Sequence, residues 1–337
     1  MRPLALNLLT LSATLVVLAV LTLPAMGVLD AERGEARTAA YRAPSAERLF
    51  GVAVDPWHLD EWSHAVGAQP ALIAKFEAFA RRRPLGPYLR EAERRGVRGI
   101  VISWEPWRPV AAARGRTAQF RPQRGYRNAD IADGRRDAYL ERFARTIARF
   151  DGVVYLRYAH EMNGIWYPWT HDSRGYRRAW RHVVRVVRAA GAHNARFVWS
   201  VNPNLYQSPR NWARRMRRFW PGARYVDYLG STAIDFGGRK DYAVARFEPR
   251  LRALHALFRK PVMITEANTD FGGRVAWLRE FRRMLGRAPW IRAVVWSQLP
   301  SRGRAQMPDA GVLDWDVQRD PPSAAVLRRI IRDGAVQ

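Results

Sequence analysis

The chain has 337 residues, 48% hydrophobic and 26% charged, which excludes a disordered polymer and leaves room for one barrel-sized domain or two smaller ones. The absence of cysteine excludes a disulfide framework and a thiolate metal site. The formal charge of +27 is the outlier, and 54 of the 57 basic residues are arginine; arginine-biased coding and an acidic partner each account for such a balance.

After Arg2 no charge appears until Asp30, and Leu4 to Leu23 is almost entirely Leu, Val, Ala and Thr. Residues 1–29 are therefore expected to act as a signal peptide or membrane anchor that exports the rest, with small residues at Ala25 and Gly27 resembling a cleavage site. Residues 30–48 form a polar linker. Leu49 to Val54 is the first strand, with Asp55, Trp57 and His58 just past its end. Ala71 to Phe79 is the second, although its Ala and Lys content also suits a helix. A helix from Pro84 to Arg95 stops at Gly96, and Val97 to Ser103 is a third strand that runs into Trp104, Glu105, Pro106 and Trp107. A basic loop from Arg108 to Asn128 leads to a helix with Leu140, Phe143, Ile147 and Phe150 at three- and four-residue spacing.

The fourth strand starts at Val153 and leads directly into His160, Glu161 and Asn163, with Trp166, Tyr167 and Trp169 following. A helix around Trp180, Val183, Val184 and Val187 carries an arginine row on its other face. Arg196 to Val201 is a fifth strand ending at Asn202 and Asn204, and Val226 to Ala233 a sixth ending near Asp235. A helix through Phe247 and Leu254 reaches Pro261. Val262 to Thr265 is the seventh strand and ends at Glu266. After a helix through Trp277 and Phe281, Ile291 to Ser297 is the eighth, and Val326 to Ile331 belongs to a closing helix. Eight short apolar strands alternating with helices predict a single (β/α)8 barrel over residues 49–335, with polar and aromatic residues gathered at the strand ends where barrels hold their chemistry.

Glutamates stand at the ends of strands three, four and seven. Glu161 after strand four and Glu266 after strand seven open onto the same rim, and a pair of carboxyl groups across a sugar can run glycoside hydrolysis. A helical zinc-protease signature fails because position 164 is Gly164, and no P-loop, GxGxxG or GxSxG motif occurs. The seven histidines show no metal-ligand spacing, so neither a metal nor a cofactor is expected.

HEMNGIWYPW after a hydrophobic strand resembles the acid/base segment of glycoside hydrolase family 26, the β-mannanases, mixed-linkage β-glucanases and related β-glycanases. WEPW at Trp104 to Trp107, WSVNPN at Trp199 to Asn204, PGARYVDYLG at Pro221 to Gly230, KPVMITE at Lys260 to Glu266 and VVWS at Val294 to Ser297 follow in family order. The resemblance implies a retaining endo-β-glycanase with Glu161 as general acid/base, Glu266 as nucleophile, and a carboxyl separation of roughly 5 to 5.5 Å. It implies that His160 binds the sugar at the cleavage subsite with Trp166 beside it. A raised pKa is expected at Glu161 and an ionised carboxylate at Glu266.

Asn163, Trp169, Trp104, Glu105, Asn202, Asp235 and Trp296 complete the expected sugar-binding set. One departure stands out: the tyrosine that family members place after strand six to bond the nucleophile is matched by Ile234, beside Asp235. The expected partner is a polysaccharide, with an acidic polymer as a further candidate, no specific nucleic acid, membrane contact only through the N-terminal segment, and a monomeric state. The rival reading is a barrel without turnover that holds an anionic polysaccharide on its arginine-rich surface.

Overall fold

A computed structural model describes residues 47–81, 83–109, 121–203, 208–235, 244–269, 271–298 and 315–335. The expected export segment, most of the linker, much of the basic loop and Asn204 lie outside the described residues.

The strands are β1 (Leu49–Val52), β2 (Leu72–Ala78), β3 (Gly99–Glu105), β4 (Val153–Tyr158), β5 (Ala195–Val201), β6 (Tyr228–Ile234), β7 (Val262–Asn268) and β8 (Ile291–Trp296). They pair in chain order into a closed barrel, every pair parallel, with β8 returning to β1. The helices are α1 (Leu59–Val66), α2 (Gly86–Arg94), α3 (Asn128–Ala132), α4 (Asp137–Ile147), α5 (Ser173–Ala189), α6 (Pro209–Met216), α7 (Val244–Phe258), α8 (Arg274–Arg287) and α9 (Pro321–Ala335). The expected (β/α)8 architecture is thus observed. The segment that also suited a helix is strand β2: Lys75 faces outward, ion-paired to Glu77 at 2.7 Å and 4.4 Å over the Tyr88 ring.

Strand alternation sorts the apolar residues into two cores. Leu49, Leu72, Val101, Val153, Tyr155, Val198, Met263, Ala293 and Val295 fill the barrel interior. Ile100, Ile102, Val154, Leu156, Phe197, Trp199 and Leu229 face outward into the helix layer. Close approach inside the barrel demands glycine at Gly230, where an added Cβ would lie 2.7 Å from Ser200 Cβ.

Burial corrects three expected sugar contacts, two of them, Trp104 and Trp296, through this alternation. Trp104 immediately precedes the inward Glu105, so it points out; it is fully buried, stacks on Phe143 at 4.3 Å and donates Nε1–H to Tyr139. Trp296 is likewise fully buried, edge-on to Trp277 of α8. Trp169 is 2% exposed, stacked 4.4 Å from Tyr167 and donating Nε1–H to the His160 carbonyl. None of these indoles has a face free for a sugar.

Candidate active site

Above the apolar interior the barrel mouth turns polar, beginning with Arg157. Its place in β4 puts it on the inner face with Val153 and Tyr155, and it is wholly buried. Its guanidinium donates from Nε to Ser200 Oγ at 2.9 Å, from Nη1 to Ser103 Oγ at 3.1 Å and from Nη2 to Thr232 Oγ1 at 3.4 Å. The remaining bond, Nη1 to Glu266 Oε1 at 2.6 Å, is a charge-assisted ion pair. One cation is therefore held by β3, β5 and β6 and delivered to the carboxylate on β7.

Glu266 reaches the mouth through an irregularity in its strand. The β7 register shifts against β6 between Ser231 and Thr232, and against β8 between Ile264 and Ala267. Such a bulge lets two consecutive residues face inward: Thr265 Oγ1 lies 3.2 Å from Ser200 Oγ, and Glu266 meets Arg157. Ile234, the match to the family tyrosine, is buried, and among the described residues it is Arg157 that bonds Glu266.

Glu161 is positioned by strained backbone. Ala159 and Glu161 adopt φ of 42° and 52°, the left-handed region that non-glycine residues avoid, and the Glu161 amide bonds the Ser200 carbonyl at 2.8 Å. Its Oε1 accepts from Thr232 Oγ1 at 2.6 Å and Asn202 Nδ2 at 3.3 Å, and its Oε2 from Trp166 Nε1 at 2.9 Å. Gly164 makes the last contact feasible, since a Cβ there would lie 2.6 Å from the Trp166 ring. Asn163 spends its amide on the backbone of Asn202, donating to its carbonyl and accepting from its N–H, both at 2.8 Å. It therefore fixes Asn202 against Glu161 and is not itself free for a sugar. Thr232 links the two glutamates, bonding Glu161 on one side and Arg157, hence Glu266, on the other.

The electrostatics differ from expectation at Glu266. Burial pushes its carboxyl above the usual range, Arg157 opposes this by charge and hydrogen bond, and the neighbouring Glu161 charge adds to the rise. His160 is 1% exposed; burial, reinforced by the Arg157 charge, holds its pKa well below the ordinary value, so the ring is neutral. Its Nε2 sits 2.9 Å from Tyr167 Oη, and its buried Nδ1 has no hydrogen-bond partner among the described residues. Asp235, 8% exposed, accepts from Thr269 Oγ1 at 3.1 Å and ties the end of β6 to that of β7.

Glu105 is a third inward carboxyl, accepting from Trp107 Nε1 at 3.1 Å. Burial raises its pKa to about 7, Trp107 and Arg157 opposing and the Glu266 and Glu77 charges adding. Because the folded value exceeds the unfolded one, the folded chain binds more protons, and stability is lost as pH rises from about 4.5 to about 7. Glu105→Gln keeps the Trp107 contact without the charge, so the variant is expected to match wild type at pH 4.5 and to gain about 3 kcal/mol over it at pH 8. Thermal unfolding at the two pH values checks this.

The described residues expose three large apolar side chains, Trp57 at 51%, Phe76 at 41% and Ile165 at 71%. Ile165 lies in the loop carrying Glu161. Phe76, inward at the end of β2, sits edge-on 5.8 Å from His160. It also lines a cleft of about 730 Å³ with Trp57, Tyr88, Arg83, Gln298 and Asp316. Arg157, Phe76 and Thr232 were not singled out by the sequence, although the inward parity of Arg157 and Phe76 in their strands is visible there.

Residues 135–271 match the family model for glycosyl hydrolase family 26, a span that includes both glutamates. Endoglucanase H of Acetivibrio thermocellus is 28% identical over 251 residues, which cover 70% of this chain but 24% of that protein, so the chain spans about a quarter of its relative's length. Among solved structures, a GH26 β-mannanase from Bacteroides ovatus superposes with a TM-score of 0.63 at 18% identity, covering 90% of this chain and 92% of its own. A modular endo-β-1,4-mannanase from Cellulomonas fimi gives 0.57 at 17% identity, covering 87% and 73%. At such identities the two structures speak for the fold alone. The family model over residues 135–271 and the relative thus carry further the resemblance to glycosyl hydrolase family 26 first seen in HEMNG.

Proposed function

We propose that the protein is a retaining endo-β-glycanase, with Glu161 as acid/base and Glu266 as nucleophile. The observation that carries this reading is the asymmetry of the two carboxyl surroundings. Glu266 faces a buried guanidinium, which favours the anion needed to attack the anomeric carbon. Glu161 is held by the neutral donors Thr232, Trp166 and Asn202, and by this contrast with Glu266 we assign it the acid/base role.

In the first step the Glu266 carboxylate forms a bond to the anomeric carbon while Glu161 gives its proton to the departing glycosidic oxygen. In the second, Glu161 takes a proton from water, whose oxygen displaces Glu266. A neutral His160 leaves Arg157 as the cation beside the reacting centre, and Glu105 and Asn202 are the groups we assign to orienting the sugar. Reducing-end release from a panel of β-glucans, β-mannans and bacterial exopolysaccharides tests this function; no turnover of any polymer contradicts it.

The cleft at Trp57 and Phe76 suits further units of a chain, since exposed aromatic faces pack against apolar sugar faces. Trp57→Ala with Phe76→Ala is expected to raise KM for a cleaved polymer roughly tenfold. Hydrolysis of a short aryl glycoside should stay within about twofold of wild type, because such a substrate does not reach the cleft.

A further inference from the structure

From Ser173 to Val226 the chain holds thirteen arginines and no aspartate, glutamate or lysine. Arginine-biased coding turns lysine into arginine, but it does not remove acids over 54 residues, and acids occur throughout the rest of the barrel. Its described helices and turns form one outer wall: α5, α6 and the short turns Arg217–Phe219 and Ala223–Tyr225 pack together outside the barrel strands. Arg174, Arg178, Arg185 and Arg188 on α5 are exposed, as are Arg210, Arg214, Arg215, Arg217, Arg218 and Arg224 beyond it.

Several of these side chains are held in place without being neutralised. Arg181 donates to the Pro221 carbonyl at 2.7 Å, Arg188 to the Arg224 carbonyl at 3.1 Å, and Arg177 to the Arg218 carbonyl. Carbonyls fix a guanidinium but leave its full charge. Among the described residues one carboxylate ion-pairs with an arginine of this wall, Asp133 with Arg178 at 3.0 Å. The acids that bound the stretch are occupied by backbone: Asp172 accepts from the Gly175 N–H and Asp227 from the Phe197 N–H. Desolvation pushes the Tyr225 phenol up, and the hydrogen bonds and charges of Arg224 and Arg185 together outweigh it and leave the phenol below its usual pKa.

We propose that this wall is a docking surface for a carboxylate-bearing polysaccharide, which holds the enzyme on an acidic matrix while the cleft works on its own glycan. Guanidinium groups pair with carboxylates in fork geometry, and a row of them binds a polyanion by charge with little demand on sequence. Two other polyanions fit less well. A membrane would call for apolar residues beside the arginines, and single-stranded nucleic acid for exposed aromatic platforms. The exposed large apolar residues among the described ones, Trp57, Phe76 and Ile165, are in strand-end loops or on β2, not on this wall. The choice of a polysaccharide rests on the glycanase reading; the basic wall does not.

Binding to immobilised polygalacturonate tests the proposal, read against Arg214, Arg215, Arg217 and Arg218 changed together to Gln. A control with the same loss of charge changes exposed Arg90, Arg149, Arg279 and Arg283 to Gln. The wall variant is expected to bind about tenfold more weakly at 0.1 M salt and to lose much of the salt dependence, with the control near wild type. Both variants should hydrolyse a neutral β-glycan at the wild-type rate, so a failure of glycanase activity registers separately. Equal losses in the two variants would overturn the docking surface, as would wild-type binding to phosphatidylglycerol vesicles or single-stranded DNA that is tighter than to polygalacturonate.

Discussion

Arg157→Met is expected to lower kcat/KM about 100-fold near pH 6 and less at pH 8. The charge and hydrogen bond of Arg157 favour the ionised form of Glu266 against burial; a hydrogen bond to a charged group contributes about 1.5–3 kcal/mol. Burial and the Glu161 charge already push Glu266 upward, with Arg157 as the opposing influence. Removing it leaves only the raising effects, so the acidic limb of the pH–rate profile, which follows ionisation of the nucleophile, moves to higher pH. Raising the pH should then restore part of the activity. A residue that merely supported the fold would give a loss independent of pH. The buried pair also adds to stability, and leaving one partner costs about 3 kcal/mol, so thermal unfolding must be followed alongside. Arg157→Lys, which keeps the charge but not the fork to Ser200, Ser103 and Thr232, should fall between Met and wild type.

Glu161→Ala and Glu266→Ala are expected to abolish polymer hydrolysis in different ways. Loss of general acid/base assistance costs about 10²–10⁴-fold. On an aryl glycoside with a good leaving group the Glu161 variant needs no proton donor for its first step, so it should show a burst and then stall as the glycosyl-enzyme waits for a base. Added azide should take over the second step and give the β-glycosyl azide. The Glu266 variant should show no burst, and azide bound in the vacated space should attack directly to give the α-product. Swapped outcomes would exchange the two roles.

The barrel was legible because each βα unit repeats the same pattern, and the two glutamates were legible because each follows an apolar run. The side on which a residue falls within a strand was equally available in β3, where an inward Glu105 forces Trp104 outward into the Phe143 stack. Aromatic residues near strand ends read alike until that parity is applied, which is why Trp104 and Trp296 looked like sugar platforms. Phe76 was hidden for the converse reason, sitting in a segment whose Lys75 and Glu77 blur the strand pattern while they pair with each other outside the barrel.

Arg157 shows what local pattern does not carry. Its partners come from Ser103, Ser200, Thr232 and Glu266, spread over four other strands, and no spacing in the sequence records that they converge. Among the described residues the bond to Glu266 is made from β4, while Ile234 at the end of β6 is buried. Strain at Ala159 and Glu161 is equally silent in sequence, because neither is a glycine and only closure of the barrel holds them in the left-handed region.

Glu266 is expected to become covalently bonded to the sugar during turnover. Incubation with a 2-deoxy-2-fluoro-β-glycoside bearing an activated leaving group, of the sugar that the polymer panel identifies, should slow the second step and let the adduct accumulate. Mass spectrometry of proteolytic peptides is then expected to find one glycosyl unit on Glu266, absent from Glu266→Gln. A label on any other residue, or turnover with inverted product and no label at all, would contradict the account.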